Sequence, residues 1–199
     1  NSDCAWIKWF RFGYVHSQCE RAAIMEFGEI TARLSPPILP KEIDDLSWDA
    51  VEGELGVELP AGYKEFVATY GTGSIGKFLW IFNPASKNRS LNGEAIRYFQ
   101  SSYTELKQDF PADYTRPTFP ALNSFLPWAV TDNGDTLVGI LCDKPPNSWK
   151  VGVMASDQVA EEIYESDFVE FIVQLLDQEI DSKILPRQFL DMKKTFQSF

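Results

Sequence analysis

Apolar residues recur at helical spacing in the central part of the chain. They predict three helices, over residues 48 to 55, 60 to 70 and 93 to 109. Ser47 suits the N-cap of the first helix, and Gly56 and Gly71 suit the positions that follow the first and the second. The side chains that we expect these helices to turn inward are Trp48, Val51, Leu55, Tyr63, Phe66, Val67, Tyr70, Ile96, Phe99, Tyr103 and Leu106.

Apolar and aromatic runs between turn residues predict four strands, over 76 to 83, 128 to 132, 136 to 142 and 149 to 154. The connections between the last three are short, which favours an antiparallel meander. The segment 157 to 181 ends in a predicted helix with an apolar stripe of Phe168, Phe171, Ile172, Leu175 and Leu176. This order predicts one α+β domain, a mostly antiparallel sheet with N-terminal helices and a C-terminal helix packed on it.

Both ends of the chain differ from its centre. Residues 18 to 34 are compatible with a helix, and the proline-rich SPPILP at 35 to 40 ends it and forms the clearest linker. We expect an N-terminal extension over 1 to 40, a domain over 41 to 181, and a basic tail or extra helix over 182 to 199. Met25 opens a smoother stretch, so we expect residues 1 to 24 to be upstream or non-native sequence.

Composition narrows the classes of partner. The formal charge of −11, from 18 Lys and Arg against 29 Asp and Glu, argues against nucleic-acid binding and favours a neutral or basic partner. No apolar run reaches the roughly 20 residues of a membrane helix, so we expect no membrane partner. The three cysteines, Cys4, Cys19 and Cys142, show neither disulfide nor zinc spacing, which favours reduced thiols in the cytoplasm. Nothing predicts an oligomeric state.

The stretch Thr131-Asp132-Asn133-Gly134-Asp135 has three interpretations: a cation site, catalytic carboxylates or a turn. Asn-Gly between two apolar runs is the strongest local signal for a two-residue hairpin. A calcium loop needs oxygen ligands through its second half, where this sequence has Leu137, Gly139 and Leu141. The turn is therefore favoured, with Asp132 and Asp135 exposed at its tip, and we predict no metal and no cofactor.

Catalytic patterns are weak in this sequence. GTGSIG, residues 71 to 76, follows a helix and precedes a strand, the reverse of a phosphate-binding loop, so we interpret it as a helix stop and connector. The sequence has no GxSxG nucleophile elbow, and His16 is its single histidine. Paired carboxylates remain an open alternative because acidic residues are abundant. We predict no catalytic residues and no enzymatic activity.

Residues 157 to 181 contain nine Asp or Glu and no Lys or Arg. Such a segment is either an ordinary solvated helix face or an acidic surface that attracts a basic protein. Under the second interpretation, the predicted partner contacts are Asp132, Asp135, Glu161, Glu162, Glu165 and Asp167. The four tryptophans Trp48, Trp80, Trp128 and Trp149 are expected in the core or at its margin.

The succession of motifs over about 45 to 180 resembles the SUKH superfamily of Smi/Knr-like cell-wall assembly regulators. A tryptophan helix, a Leu-Gly, a Leu-Pro-x-x-Tyr helix, a Tyr-Gly and an aromatic strand occur in that order. The residues that carry this first part are Trp48, Glu52, Leu55, Gly56, Leu59, Pro60, Tyr63, Phe66, Tyr70, Gly71, Gly73 and Trp80. A second part, LPWAVTDNGDTLVGIL, carries Pro127, Trp128, Asn133, Gly134 and Asp135, and FVEFIVQLL resembles the closing helix.

The resemblance implies an α+β domain without catalysis. In bacteria it implies an immunity protein that neutralises a cognate protein toxin, a nuclease or a deaminase. The fungal relatives imply an alternative, a regulatory or scaffold module that binds a housekeeping partner. The motif residues are then mainly structural, and the toxin-binding surface cannot be transferred because it varies within the family.

Overall fold

The computed structural model of the protein describes residues 27–44 and 46–199. The expectations for residues 1 to 24, for His16, Cys4 and Cys19, and for the first part of the helix predicted over 18 to 34 lie outside these residues. The helices are α1 (residues 27 to 33), α2 (Trp48–Leu55), α3 (Ala61–Tyr70), α4 (Gly93–Asp109), α5 (Phe168–Leu176) and α6 (Arg187–Asp191), with a 3₁₀ turn at Pro146–Ser148. The strands are β1 (Gly73–Ile75), β2 (Leu79–Ile81), β3 (Phe125–Thr131), β4 (Thr136–Ile140), β5 (Lys150–Met154), β6 (Glu161–Tyr164) and β7 (Phe196–Ser198).

The seven strands form one antiparallel sheet in the order β6-β5-β4-β3-β2-β1-β7. The predicted α+β fold is therefore confirmed. One row of register partners crosses the whole sheet, and because directly opposed residues share a face, its side chains lie on the same side. The row consists of Gln197, Ser74, Trp80, Val130, Thr136, Met154 and Glu161.

The helices cover the two sheet faces unequally. On one face, α1, α3, α5 and α6 enclose the main core, which also takes the inward residues of every strand from β1 to β5. On the other face, α4 packs Phe99 and Tyr103 against Phe125, Val138 and Met154 of β3, β4 and β5. Trp80 of β2, on this second face, stays partly exposed.

Local capping explains the helix boundaries. The Ser47 hydroxyl accepts a hydrogen bond from the Ala50 N–H, and Gly56 adopts φ 72 while its N–H reaches Glu52 O. The Asn92 side chain caps α4 in the same way, through the Glu94 N–H at 2.9 Å. Helices α2, α3 and α4 therefore match their predicted ranges, and the predicted apolar stripe of α5 lies in the core with Leu176 at its margin.

The strand predictions need corrections. The strand expected over 76 to 83 is shorter, at Leu79–Ile81, and Gly73–Ile75 forms β1 inside the stretch interpreted as a connector. Strand β3 begins earlier than predicted and passes through Pro127, which a central strand tolerates here because the register shifts between Pro127 and Ala129. Residues 161 to 164 form the edge strand β6, so the interpretation that Glu161 and Glu162 lie on a helix face is wrong.

Residues 182 to 199 contribute α6 and the edge strand β7. Phe196 packs on the rings of Phe66 and Tyr70, which fixes β7 to the main core. Lys194 is buried, and its ammonium donates to Leu190 O at 3.0 Å and to Met192 O at 3.1 Å. Burial lowers the pKa of Lys194, although Asp191 opposes the shift.

Within the described residues, no helix is long and apolar enough to cross a membrane.

Candidate functional site

The turn between β3 and β4 is a hairpin, as predicted, but its central residues are Asp132 and Asn133. Gly134 N–H donates to Thr131 O at 3.0 Å, which closes the turn, and Thr131 N–H donates to Asp135 O at 2.8 Å. Gly134 alone in this turn has a positive φ, of 86°. This arrangement is a type I turn followed by a glycine bulge, so the two-residue Asn-Gly turn is corrected.

Asp135 is buried, and the expectation that it is exposed at the tip is wrong. Its carboxylate accepts hydrogen bonds from the Thr131 hydroxyl at 3.2 Å and from the Ser156 N–H at 3.2 Å. Ser156 follows β5, so Asp135 ties the β3–β4 turn to the adjacent β5–β6 turn. Its side chain has a structural role that the charge pattern did not reveal.

The acidic residues of the 161 to 167 segment do not form one surface. Glu161 and Glu165 lie on the α4 side of the sheet. Glu161 forms an ion pair with Arg116, with 2.8 Å between Oε2 and Nε, and Glu165 forms one with Lys150, with 2.6 Å between Oε1 and Nζ. Glu162 points to the opposite face and accepts from the Ser182 hydroxyl at 2.6 Å and the Lys183 N–H at 2.7 Å. Asp167 caps α5 through the Glu170 N–H.

Asp132 is exposed and bonds to Trp80, which in turn packs against Phe199. The Trp80 Nε1–H donates to Asp132 Oδ1 at 2.7 Å, across the β2–β3 register. The ring of Phe199, which is 65% exposed, meets the Trp80 ring edge-on at a centroid distance of 5.8 Å. Trp80, Asp132 and Phe199 are called the Trp80 patch below. Exposed aromatic side chains are enriched in protein-binding surfaces, whereas aspartate is depleted in them.

A groove of about 490 Å³ adjoins the Trp80 patch, between the first half of α4 and the end of the sheet. Val130 lines it and is the cross-strand partner of Trp80, and Gly134 lines it from the same turn as Asp132. Tyr98 of α4 lies on its wall and is 75% exposed. At its rim, Arg89 and Glu94 form an ion pair of 2.6 Å. Val130 and Gly134 link the groove to the Trp80 patch, and the aromatic side chains Tyr98, Trp80 and Phe199 are at least partly exposed there.

A second polar cluster surrounds Glu42 near the start of the domain. The Glu42 carboxylate accepts from the Thr72 hydroxyl at 2.8 Å and from the Lys87 N–H at 3.1 Å, and the Asn83 amide donates to Glu42 O. Burial alone would raise the pKa of Glu42, but hydrogen bonds from Ser86, Thr72 and Lys87 outweigh it and lower that pKa. These contacts fix the chain between α1 and α2 to the residues just before β1 and just after β2, which is a structural role.

The motif residues mostly shape the core. Tyr63 lies between Trp48, Trp128 and Phe168, and its hydroxyl donates to Phe82 O at 2.7 Å. Burial raises the pKa of Tyr63 strongly. Trp128 and Trp149 are buried and Trp48 and Trp80 are half-buried, which confirms the expectation for the four tryptophans.

Three further motif positions fix the backbone. The Glu52 carboxylate accepts from the Leu59 N–H at 2.8 Å and from Lys64 Nζ at 2.7 Å, which joins α2 to α3 immediately before Pro60. Gly71 has φ 68, and a Cβ there would meet Lys41 O at 2.3 Å, so only glycine fits. The Tyr70 hydroxyl donates to Leu34 O and so holds the end of α1 against α3.

Among residues 27–44 and 46–199, no group of three or more His, Cys, Asp or Glu side chains is arranged to hold a metal ion. Cys142 is a free, half-buried thiol.

Comparison with known protein families gives a match over the central part of the chain. The family model described as SUKH_6, SMI1-KNR4 cell-wall, matches residues 45–172, which is more than half of the chain. No curated protein and no solved structure matches the chain. The matched range contains α2 to α4, strands β1 to β6 and the Glu52, Tyr63, Gly71 and Trp128 positions described above. The chain therefore belongs to the SMI1-KNR4 family of the SUKH superfamily.

Proposed function

We propose that this chain is a non-catalytic immunity protein that binds a cognate, basic toxin of the nuclease or deaminase type in the cytoplasm. The observation that carries a binding role is the exposed aromatic surface made by the Trp80 patch and the adjoining groove. Trp and Tyr are enriched among the residues that dominate protein-binding energies, because they bury a large area at a small cost in side-chain entropy. The immunity role itself is an extension from the family resemblance.

The charge of the chain supports a basic partner. A formal charge of −11 accelerates the encounter with a cationic protein and disfavours acidic competitors. A toxin that acts on nucleic acid needs a basic cleft, so an acidic inhibitor is complementary to it. The excess of Asp and Glu over Lys and Arg therefore favours a basic, nucleic-acid-acting toxin over a neutral partner.

The proposed contacts differ in their position. Asp132 is an exposed contact of the Trp80 patch, and Glu161 and Glu165 are rim contacts whose ion pairs a partner's cations can exchange. The carboxylates of Glu162 and Asp167 already accept hydrogen bonds from backbone N–H groups of this chain, so we assign them a smaller part in partner binding. Asp135 is buried and is removed from the contact set. Tyr98 and Phe199, which the charge pattern did not indicate, join it.

The alternative is a regulatory module that binds a housekeeping protein. The matched family description, which names SMI1-KNR4 and the cell wall, favours it. The same aromatic surface serves this alternative, because neither role requires chemistry inside the fold. The two roles differ in the partner and in the phenotype of its loss.

Co-expression tests the immunity role directly. The product of the neighbouring gene is induced in a sensitive host, with and without this chain, and growth is scored. We expect the neighbour to be toxic alone, and the chain to restore growth and to co-elute with it as a complex. A double replacement, Tyr98→Ala with Phe199→Ala, should abolish rescue while leaving the chain folded by circular dichroism. A neighbour that is harmless, or toxicity that persists without complex formation, would contradict the immunity role.

A further inference from the structure

We infer that Asp132 and Trp80 form a docking site for an arginine side chain presented by the protein partner. This inference rests on the proposed function and names the contact chemistry of its binding surface. It goes beyond a general acidic attraction because it assigns one carboxylate and one ring to one partner side chain.

Asp132 differs from Glu94, which lines the groove, and from Glu161 and Glu165 on the same side of the sheet. Glu94, Glu161 and Glu165 each hold a basic side chain of this chain at 2.6 to 2.8 Å. Asp132 has a single neutral donor, the Trp80 indole N–H, on Oδ1. Within the described part of the chain, no hydrogen-bond donor reaches its Oδ2 and no cation pairs with it. Its negative charge is therefore available to a cation from outside.

The carboxylate is already held in place before a partner arrives. Asp132 N–H donates to Phe78 O at 3.1 Å, and the turn is closed by the Gly134 N–H. The Trp80 N–H then fixes the side chain on the rigid turn. Little conformational entropy is lost when a partner binds such a group, which strengthens the contact relative to a free surface aspartate.

The surroundings favour arginine over lysine. A carboxylate oxygen has two lone pairs, so Oδ1 and Oδ2 can both accept from a planar guanidinium while Trp80 stays bonded. The guanidinium also stacks on aromatic faces, and the half-exposed Trp80 ring with Phe199 beside it offers such a surface. A lysine ammonium would make the charge contact without the planar stacking.

The groove offers space for the partner residue that follows the arginine. Val130 and Gly134 connect the Trp80 patch to the groove, and its volume of about 490 Å³ suits one or two apolar side chains. A partner segment with an arginine followed by an apolar residue therefore fits the whole surface. A second copy of this chain could instead offer its own exposed Arg89, so self-association is one outcome of the test.

The test uses the full chain labelled with ¹⁵N and the peptide acetyl-Gly-Arg-Gly-amide. The matched control ligand carries citrulline, which keeps the planar shape and loses the charge. The Trp80 indole N–H signal, assigned with a Trp80→Phe variant, reports on the site because this N–H bonds Asp132. We expect the arginine peptide to move the signals of Trp80, Gly134 and Phe199, with the citrulline peptide at least about tenfold weaker.

Two variants complete the test. Asp132→Asn keeps an acceptor for Trp80 but removes the charge, and should weaken arginine binding about tenfold. Asp113→Asn removes the same charge from an exposed position on the loop after α4 and should leave binding unchanged. Equal binding of both peptides, shifts that map elsewhere, no shifts at any soluble concentration, or shifts that depend on protein concentration alone would overturn the docking site.

The outcomes separate this inference from the immunity role. If the wild-type chain neutralises the toxin and Asp132→Asn does so with equal affinity, the docking site is wrong and the immunity role stands. If the arginine peptide binds at Trp80 but no neighbouring gene product is neutralised, the docking site stands and the immunity role is wrong.

Discussion

Trp128 of β3 lies directly against Gly139 of β4. A Cβ on residue 139 would come within 2.2 Å of Trp128 Cζ2. The Trp128 ring is fully buried, stacks on Tyr63 and meets the edge of Phe168. The absence of a side chain at position 139 therefore makes the room in which the largest core residue lies, at the point where the β3 register shifts.

Replacing Gly139 by alanine should destabilise the protein because the added methyl group overpacks this site. We expect the free energy of unfolding to fall by about 2 kcal/mol. Gly53→Ala is the matched control, since nothing lies within 4 Å of the added Cβ on the exposed side of α2, and it should raise stability by about 0.5 kcal/mol. Urea denaturation measures both. A neutral Gly139→Ala variant would show that Trp128 can shift freely.

Glu52→Ala should be far more damaging than Glu54→Ala, two positions along the same helix. The half-buried Glu52 carboxylate accepts hydrogen bonds from the Leu59 N–H and from Lys64 Nζ. Its removal leaves both donors unpaired and should lower the free energy of unfolding by about 2 kcal/mol. Glu54 pairs with Arg97 in solvent, and its loss should cost less than about 0.5 kcal/mol. Equal losses in urea denaturation would contradict the structural role of Glu52.

Glu42 should make stability sensitive to acid. The pKa of Glu42 is lower in the folded protein than in the unfolded chain, so its interactions contribute fully above the unfolded pKa of about 4.3. That contribution disappears as the pH falls through the folded-state pKa. Glu42→Gln should therefore lose less stability than the wild type between about pH 5 and pH 3. Urea denaturation across this range measures the difference, and parallel pH profiles would contradict it.

Substitutions of Asp135 and Asp132 should affect different properties: stability for Asp135, and partner binding for Asp132. Asp135→Ala leaves the buried Thr131 hydroxyl and the part-buried Ser156 N–H without their acceptor and should lower the free energy of unfolding by about 2 kcal/mol. Asp132→Asn keeps the bond to Trp80 and should change stability by less than about 0.5 kcal/mol. Thermal denaturation of the two variants provides the comparison. A strongly destabilised Asp132→Asn protein would show that its charge serves the fold.

The features that were predictable from sequence are those with local causes. The range of α2 follows from the Ser47 cap, from Gly56 and from apolar spacing, all within about ten residues. The same holds for α3, α4 and the hairpin between β3 and β4. The family signature lies in these elements, which is why the resemblance over about 45 to 180 agrees with the family match over 45–172.

The features that were missed depend on distant partners. Strands β1 and β7 have three residues each and no clear alternation, and they are strands because they pair with one another across most of the chain. The acidic residues of β6 do not look like a strand in the sequence, because charged side chains indicate exposure to solvent rather than pairing in a sheet. The burial of Asp135 depends on Ser156 in another turn, and the Trp80 patch depends on Phe199. No window of local sequence contains these pairs.

Strand β7 has a consequence for synthesis of the protein on the ribosome. It is translated after every other strand, yet it pairs with β1 and places Phe199 against Trp80. A nascent chain that has released β1 to β6 therefore has an open sheet edge and an incomplete aromatic surface. The proposed binding surface would therefore be complete only after translation of β7, when strands β1 to β6 are already available to pair.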